Sequence, residues 1–100
     1  MCGKWIKPKR RTQIVLRDDG VCVYCGGLGE SLDHVVARER GGDNRSSNLV
    51  TACFKCNSRK GDMPTIVWLR KLSDESGEPL DEISRRVRRH RDRRLPQLDD

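Results

Sequence analysis

The sequence predicts a small α+β fold stapled by a four-cysteine metal site, with helices flanking the staple. Three observations predict it. Two Cys-x-x-Cys pairs, Cys22/Cys25 and Cys53/Cys56, are separated by 27 residues. Two short segments rich in β-branched and apolar residues lie between the pairs, while segments with helical apolar spacing lie outside them. Only 34% of the 100 residues are apolar and four are aromatic. Such a chain builds a thin core and needs a staple.

Each element has its own warrant. Residues 1–11 read as a basic arm, with Pro8 arguing against a helix there. Thr12 caps an expected short helix over 12–19, and Gly20 stops it. Residues 21–27 make a tight turn between two ligands. A strand is expected over 31–37, a loop over 38–47 around Gly41-Gly42-Asp43-Asn44, and a second strand over 48–52. Residues 53–60 form an expected short helix ended by Gly61, with Pro64 beyond. Ile66, Leu69 and Leu72, joined by Val67 and Trp68, define a helix over 65–72. Leu80, Ile83 and Val87 form one stripe of a helix over 79–94 that Pro79 can open. Asp81–Arg85 and Glu82–Arg86 are spaced as favourable pairs on that helix. Past Val87 arginines take every face, so this end is expected to project from the domain or to order on a ligand, with His90 exposed. Trp5 and Trp68 are expected to pack rather than stack on bases. The resulting division is a basic arm and short helix (1–20), a core (21–62) and a helical C-terminal extension (63–100).

Charge narrows the function. Lys and Arg number 21 against 15 Asp and Glu, a formal net of +6. Residues 1–17 carry no acid, and residues 85–94 hold seven arginines against Asp92. Basic ends around a near-neutral middle suit a polyanion such as nucleic acid. No run of 18 apolar residues exists, so no membrane helix is expected, and the N-terminus lacks the apolar stretch of a signal peptide. The expected location is the cytoplasm, where reduced thiols bind metal more often than they pair. Cys2 is left over as an ordinary thiol.

Two residues between cysteines let both sulfurs reach one ion, and two such pairs complete a tetrahedron, as in structural Zn²⁺ sites. A closed four-sulfur shell has no open position, so this ion would fold the domain rather than react. Between the pairs lie Asp33-His34, with Asn48 fourteen positions after His34 and Asn57 nine further on. A carboxylate and an amide oxygen are hard ligands suited to Mg²⁺ on a phosphate. A neighbouring imidazole is poised to take a proton from water. Metal, base and surrounding arginines together describe a phosphodiester hydrolase.

The run Cys22-Val-Tyr-Cys25, Leu32-Asp33-His34-Val35-Val36, Gly41-Gly42-Asp43, Asn48-Leu49-Val50 and Cys53-Phe-Lys-Cys56-Asn57-x-x-Lys60-Gly61 resembles the HNH endonucleases, the zinc-stapled kind of the ββα-metal (His-Me finger) class. The match covers residues 22–61, with Asn57 where the family name has its last His; the flanks show no alignable motif. The resemblance implies that His34 is the general base and that Asp33 and Asn57 hold a catalytic Mg²⁺ or Mn²⁺. It implies that Asn48 braces the loop that orients His34. The expected substrate is DNA, nicked or cut with weak sequence preference by a monomer or weak dimer. Arg38, Arg40, Arg59, Lys60, Arg85, Arg86, Arg88 and Arg89 are the candidate phosphate contacts. Two alternatives are a non-catalytic zinc-folded nucleic-acid binder and an accessory subunit of a phage packaging machine with a terminase-like partner.

Overall fold

Proline opens the first helix instead of blocking it. In the computed structural model, which describes residues 6–98, α1 spans Pro8–Arg17 with Lys7 extended as its N-cap. At the first helical position proline forfeits only an N–H that would have no intrahelical partner. The helix therefore takes in residues assigned above to the arm, while Cys2 and Trp5 lie outside the described residues.

After α1 the cysteine turn folds back on itself, with Gly26 N–H donating to the Cys22 carbonyl at 2.8 Å. A Cβ at Gly29 would lie 2.3 Å from the Thr51 methyl, so glycine alone lets this turn sit on the sheet. Strand β1 (Ser31–His34) pairs antiparallel with β2 (Leu49–Ala52), setting Asp33 opposite Val50 and His34 opposite Leu49. β1 stops three residues earlier than predicted. The Asn48 side chain supplies the reason, because its Oδ1 takes the Val36 N–H at 2.9 Å. Two 3₁₀ turns, Arg38–Arg40 and Ser46–Asn48, occupy the connection. Gly42 presses so closely on it that a Cβ would fall 1.7 Å from the Val36 carbonyl oxygen.

Three helices follow: α2 (Phe54–Lys60, capped by Cys53), α3 (Thr65–Ser76) and α4 (Leu80–Asp92). Among the described residues no helix is long and apolar enough to cross a membrane. The sheet has two covered faces. Leu32 and Leu49 pack with Ile6 and Ile14 on the α1 side. On the other side Val35, Val50 and Ala52 join Tyr24, Cys56, Trp68, Leu69, Ile83 and Val87 in one cluster. Side chains of this size stabilise by roughly 1.5–3 kcal/mol each when fully buried, so the extension completes the core of the cysteine-bearing segment. Trp68 sits edge-on to Tyr24, with ring centroids 5.6 Å apart.

Two sequence expectations are corrected here. α3 buries Trp68, Leu69 and Leu72 but leaves Ile66 and Val67 exposed, so its apolar face is narrower than predicted. The arginine-rich end of α4 packs rather than projects. The stripe Ile83, Val87 continues through His90 at the next helical repeat, and His90 is buried. Its Nδ1 lies 3.1 Å from Asp18 Oδ1. Arg91 and Arg93 donate to the carbonyls of Ser47 and Arg17. The arginines near this end serve orphan carbonyls of the core, which no apolar periodicity reveals.

Candidate active site

Helix α2 lies along the outer edge of β1 because two of its side chains satisfy that edge. Asn57 Nδ2 donates to the Leu32 carbonyl at 3.0 Å, and Lys60 Nζ donates to the His34 carbonyl at 2.8 Å. These residues are one helical turn apart, and their acceptors lie two residues apart on the strand. Asn57 Nδ2 also donates to Ser31 Oγ at 3.1 Å. Both amide N–H groups are thereby spent, and Oδ1 accepts no hydrogen bond among the described residues. It remains a hard oxygen donor of the kind a divalent cation takes.

Strand alternation sorts the remaining groups. Ser31 and Asp33 share the face that Asn57 touches, so Asp33 and Asn57 lie on one side of β1 and the His34 imidazole on the other. Asp33 is buried. Its Oδ2 accepts from the Tyr24 hydroxyl at 2.6 Å and lies 3.3 Å from Lys60 Nζ, while Oδ1 has only a 3.5 Å contact to the same ammonium. Burial raises the Asp33 carboxyl above its ordinary value, and the Lys60 charge opposes that rise. Burial, followed by the Asp33 charge, pushes the Tyr24 phenol well up, so Tyr24 stays a proton donor to this carboxylate. A carboxylate offers about four lone-pair positions, so Asp33 retains capacity on Oδ1. Asp33 and Asn57 therefore each keep an oxygen of the type a hard divalent ion takes.

On the opposite face His34 Nε2 lies 2.7 Å from Asn44 Oδ1. With that oxygen as acceptor, Nε2 is the donating ring nitrogen, and the contact fixes how the ring is turned. Asn48 holds the loop from which Asn44 reaches the ring. Its Nδ2 donates to the carbonyls of Val36 and Asp43 at 3.1 and 2.9 Å.

The four cysteine sulfurs all lie within 4.8 Å of one another. Cys25 and Cys53 sulfurs are 3.8 Å apart, the edge length of a tetrahedron with metal–sulfur bonds of about 2.3 Å. Backbone N–H groups of Gly27 and Cys56 donate to Cys25 and Cys53 at 3.4 and 3.3 Å. Burial raises the Cys22 and Cys56 thiols, so only a cation among them would make this cluster of thiolates stable. The residues fit a tetrahedral metal.

The predicted phosphate contacts divide. Arg38, Arg88 and Arg89 are exposed, as is Arg40, which donates to the Asp62 carbonyl at 2.7 Å. Arg85 pairs with Asp81 at 2.8 Å as predicted. Arg59 is held by both oxygens of Glu75 and lies 5.5 Å from the Trp68 ring centroid. Two assignments are corrected. Lys60 is 1% exposed and cannot meet a phosphate at the surface. Arg86 donates to the carbonyls of Val23 and Tyr24 and pairs with Glu78 rather than Glu82, clamping the cysteine turn onto α4. Sequence reasoning also missed Tyr24 as the partner of Asp33, although its place between two cysteines was a signal. It missed Asn44, whose loop position gave none.

A segment that joins paired cysteines, an antiparallel hairpin and a short helix carrying Asn57 defines a class. Residues 22–63 match the family model described as HNH endonuclease, and this segment is an HNH endonuclease domain. The chain is similar to the CRISPR-associated endonuclease Cas9 of Corynebacterium diphtheriae, 36% identical over 88 residues, which take in 79% of this chain and 8% of the relative. It is also similar to the protein of that name from Actinomyces naeslundii, 42% identical over 55 residues, or 50% of this chain and 5% of the relative. The chain thus spans under a tenth of the length of either. The first similarity reaches beyond residues 22–63 into the flanks, where the sequence showed no alignable motif.

Proposed function

We propose that this chain is a metal-dependent DNA endonuclease whose hydrolytic centre straddles the outer edge of β1. Asp33 and Asn57 reach the scissile phosphate from one face of the strand and His34 from the other. The observation that carries the reading is the HNH match over residues 22–63, which includes Asp33, His34, Asn48 and Asn57. In this reading His34 removes a proton from the attacking water, with Asn44 holding the ring through Nε2. Asp33 and Asn57 hold a Mg²⁺ or Mn²⁺ ion, and the four cysteines hold a structural Zn²⁺. When bound, the catalytic ion supplies charge stabilisation to the phosphate and the departing oxygen. Tyr24 and Lys60 keep the Asp33 side chain in one orientation, and Asn48 holds the loop that carries Asn44.

The exposed Arg38, Arg40, Arg85, Arg88 and Arg89, with the half-buried Arg59, are the remaining sequence-derived candidates for DNA backbone contact. Neither relative is a packaging protein by name, so a terminase-like partner draws no support from them. The test compares wild type with His34→Ala, matched for bound zinc, on supercoiled plasmid with and without Mg²⁺ or Mn²⁺. We expect nicking that requires the added cation and is lost in His34→Ala while DNA binding persists. Equal cleavage by both proteins would remove His34 from the reaction. Binding without cleavage by wild type would leave a zinc-folded nucleic-acid binder.

A further inference from the structure

The sequence placed candidate DNA contacts in the 38–40 loop, on α2 and on α4, yet the face of the sheet that carries the His34 imidazole is covered by α1. A cleft of about 390 Å³ opens there, lined by Ile6, Lys7, Lys9, Arg10, Gln13 and Asn44. Among the described residues that line it, three are cationic and none is acidic. Arg10 tethers the cleft to the active-site loop by donating from Nη1 to the Asn44 carbonyl at 3.2 Å, which uses one of five guanidinium N–H donors. Asn44 belongs to both sites, because it lines the cleft and its side chain holds His34 Nε2 at 2.7 Å. The cleft and the imidazole are therefore one residue apart on the same face.

We infer that this cleft is a subsite for the sugar–phosphate backbone of a DNA strand, seating phosphates beside the bond presented to His34. The inference rests on the nuclease reading for the identity of the neighbouring bond, but not for the binding itself. Charge complementarity selects the ligand. An anionic polymer gains from three clustered cations through counterion release. The amides of Asn44 and Gln13, though already bonded to His34 and to the Pro96 carbonyl, each keep an N–H for a phosphate oxygen, a contact that does not read sequence. A subsite of this kind binds ground state and transition state alike, so it acts on KM.

The experiment measures fluorescence anisotropy of a short labelled duplex over a salt series without added divalent cation. It uses the full chain, with bound zinc and thermal melting matched among variants. Lys7→Gln/Lys9→Gln is compared with Arg70→Gln/Lys71→Gln, which removes the same charge from exposed positions on α3. The cleft variant is expected to bind about tenfold more weakly, and its slope of log K against log salt to flatten by about 2. The α3 variant should stay within about twofold of wild type with its slope unchanged. In cleavage assays the cleft variant should raise KM and leave kcat in place. Equal weakening by both variants would show diffuse attraction and overturn the subsite, as would unchanged binding by Lys7→Gln/Lys9→Gln or no binding by wild type. If wild type fails to cleave while the cleft variant alone loses affinity, the nuclease reading falls and the subsite stands.

Discussion

Two buried carboxylates, Asp18 and Asp33, differ in how fully the protein uses them. Asp18 Oδ1 lies 2.8 Å from Arg17 Nε and 3.1 Å from His90 Nδ1. Its Oδ2 accepts from Arg17 Nη2 at 3.1 Å and from the Thr51 N–H at 2.8 Å. That accounts for all of its roughly four lone-pair positions, and the donors come from α1, β2 and α4. Asp33 has Tyr24 and Lys60, with one oxygen held only by a 3.5 Å contact. A saturated carboxylate ties elements together and has nothing left for a ligand. An incompletely used one keeps lone pairs for a ligand, and it is this spare capacity that the proposed cation site draws on.

The largest perturbation should abolish the distinction altogether. Chelating any metal that the four cysteines hold, or Cys56→Ser, should release the cysteine turn and with it Tyr24. Binding energies of about 10–16 kcal/mol for structural zinc match or exceed the whole stability of a small domain, so circular dichroism should report unfolding. Asp18→Ala comes next. It leaves the buried Arg17 guanidinium without its partner, at a cost of about 3–5 kcal/mol in urea unfolding, with the cation requirement for cleavage unchanged. Asp33→Asn also leaves a buried cation, Lys60, without its counter-charge. It should fall at the low end of that range, about 3 kcal/mol, because an amide still accepts from Tyr24 and Lys60 keeps the His34 carbonyl. Its larger effect should fall on cation-dependent cleavage, lowered by about two orders of magnitude through loss of an anionic ligand. The smallest change is His90→Gln, at about 0.5–1.5 kcal/mol in the same unfolding assay, since a Gln amide can still donate to Asp18.

This contrast marks what the sequence could reveal. The cysteine spacing, the two strands, α2 and the Leu80–Ile83–Val87 stripe depend on neighbours a few positions apart, so periodicity and spacing exposed them. Asp33, Asn48 and Asn57 stood out because their motif is local. The Asp18 cluster was invisible, since it joins residues 72 positions apart and uses His90 as a core residue inside an arginine run. Pro8 was misread because proline both breaks helices and starts them, and only the preceding extended Lys7 decides between the two. Lys60 looked like a phosphate contact for a similar reason: a lysine at a helix end is usually solvated, and here the burial of Asp33 required a counter-charge.

The most direct test of this account is Mn²⁺ titration followed by electron paramagnetic resonance, on wild type and Asp33→Asn carrying matched structural metal. The account predicts one bound Mn²⁺ beyond the cysteine site in wild type and none in Asp33→Asn at the same concentration. Equal Mn²⁺ binding by the two proteins would contradict it, and would place any catalytic cation away from the edge of β1.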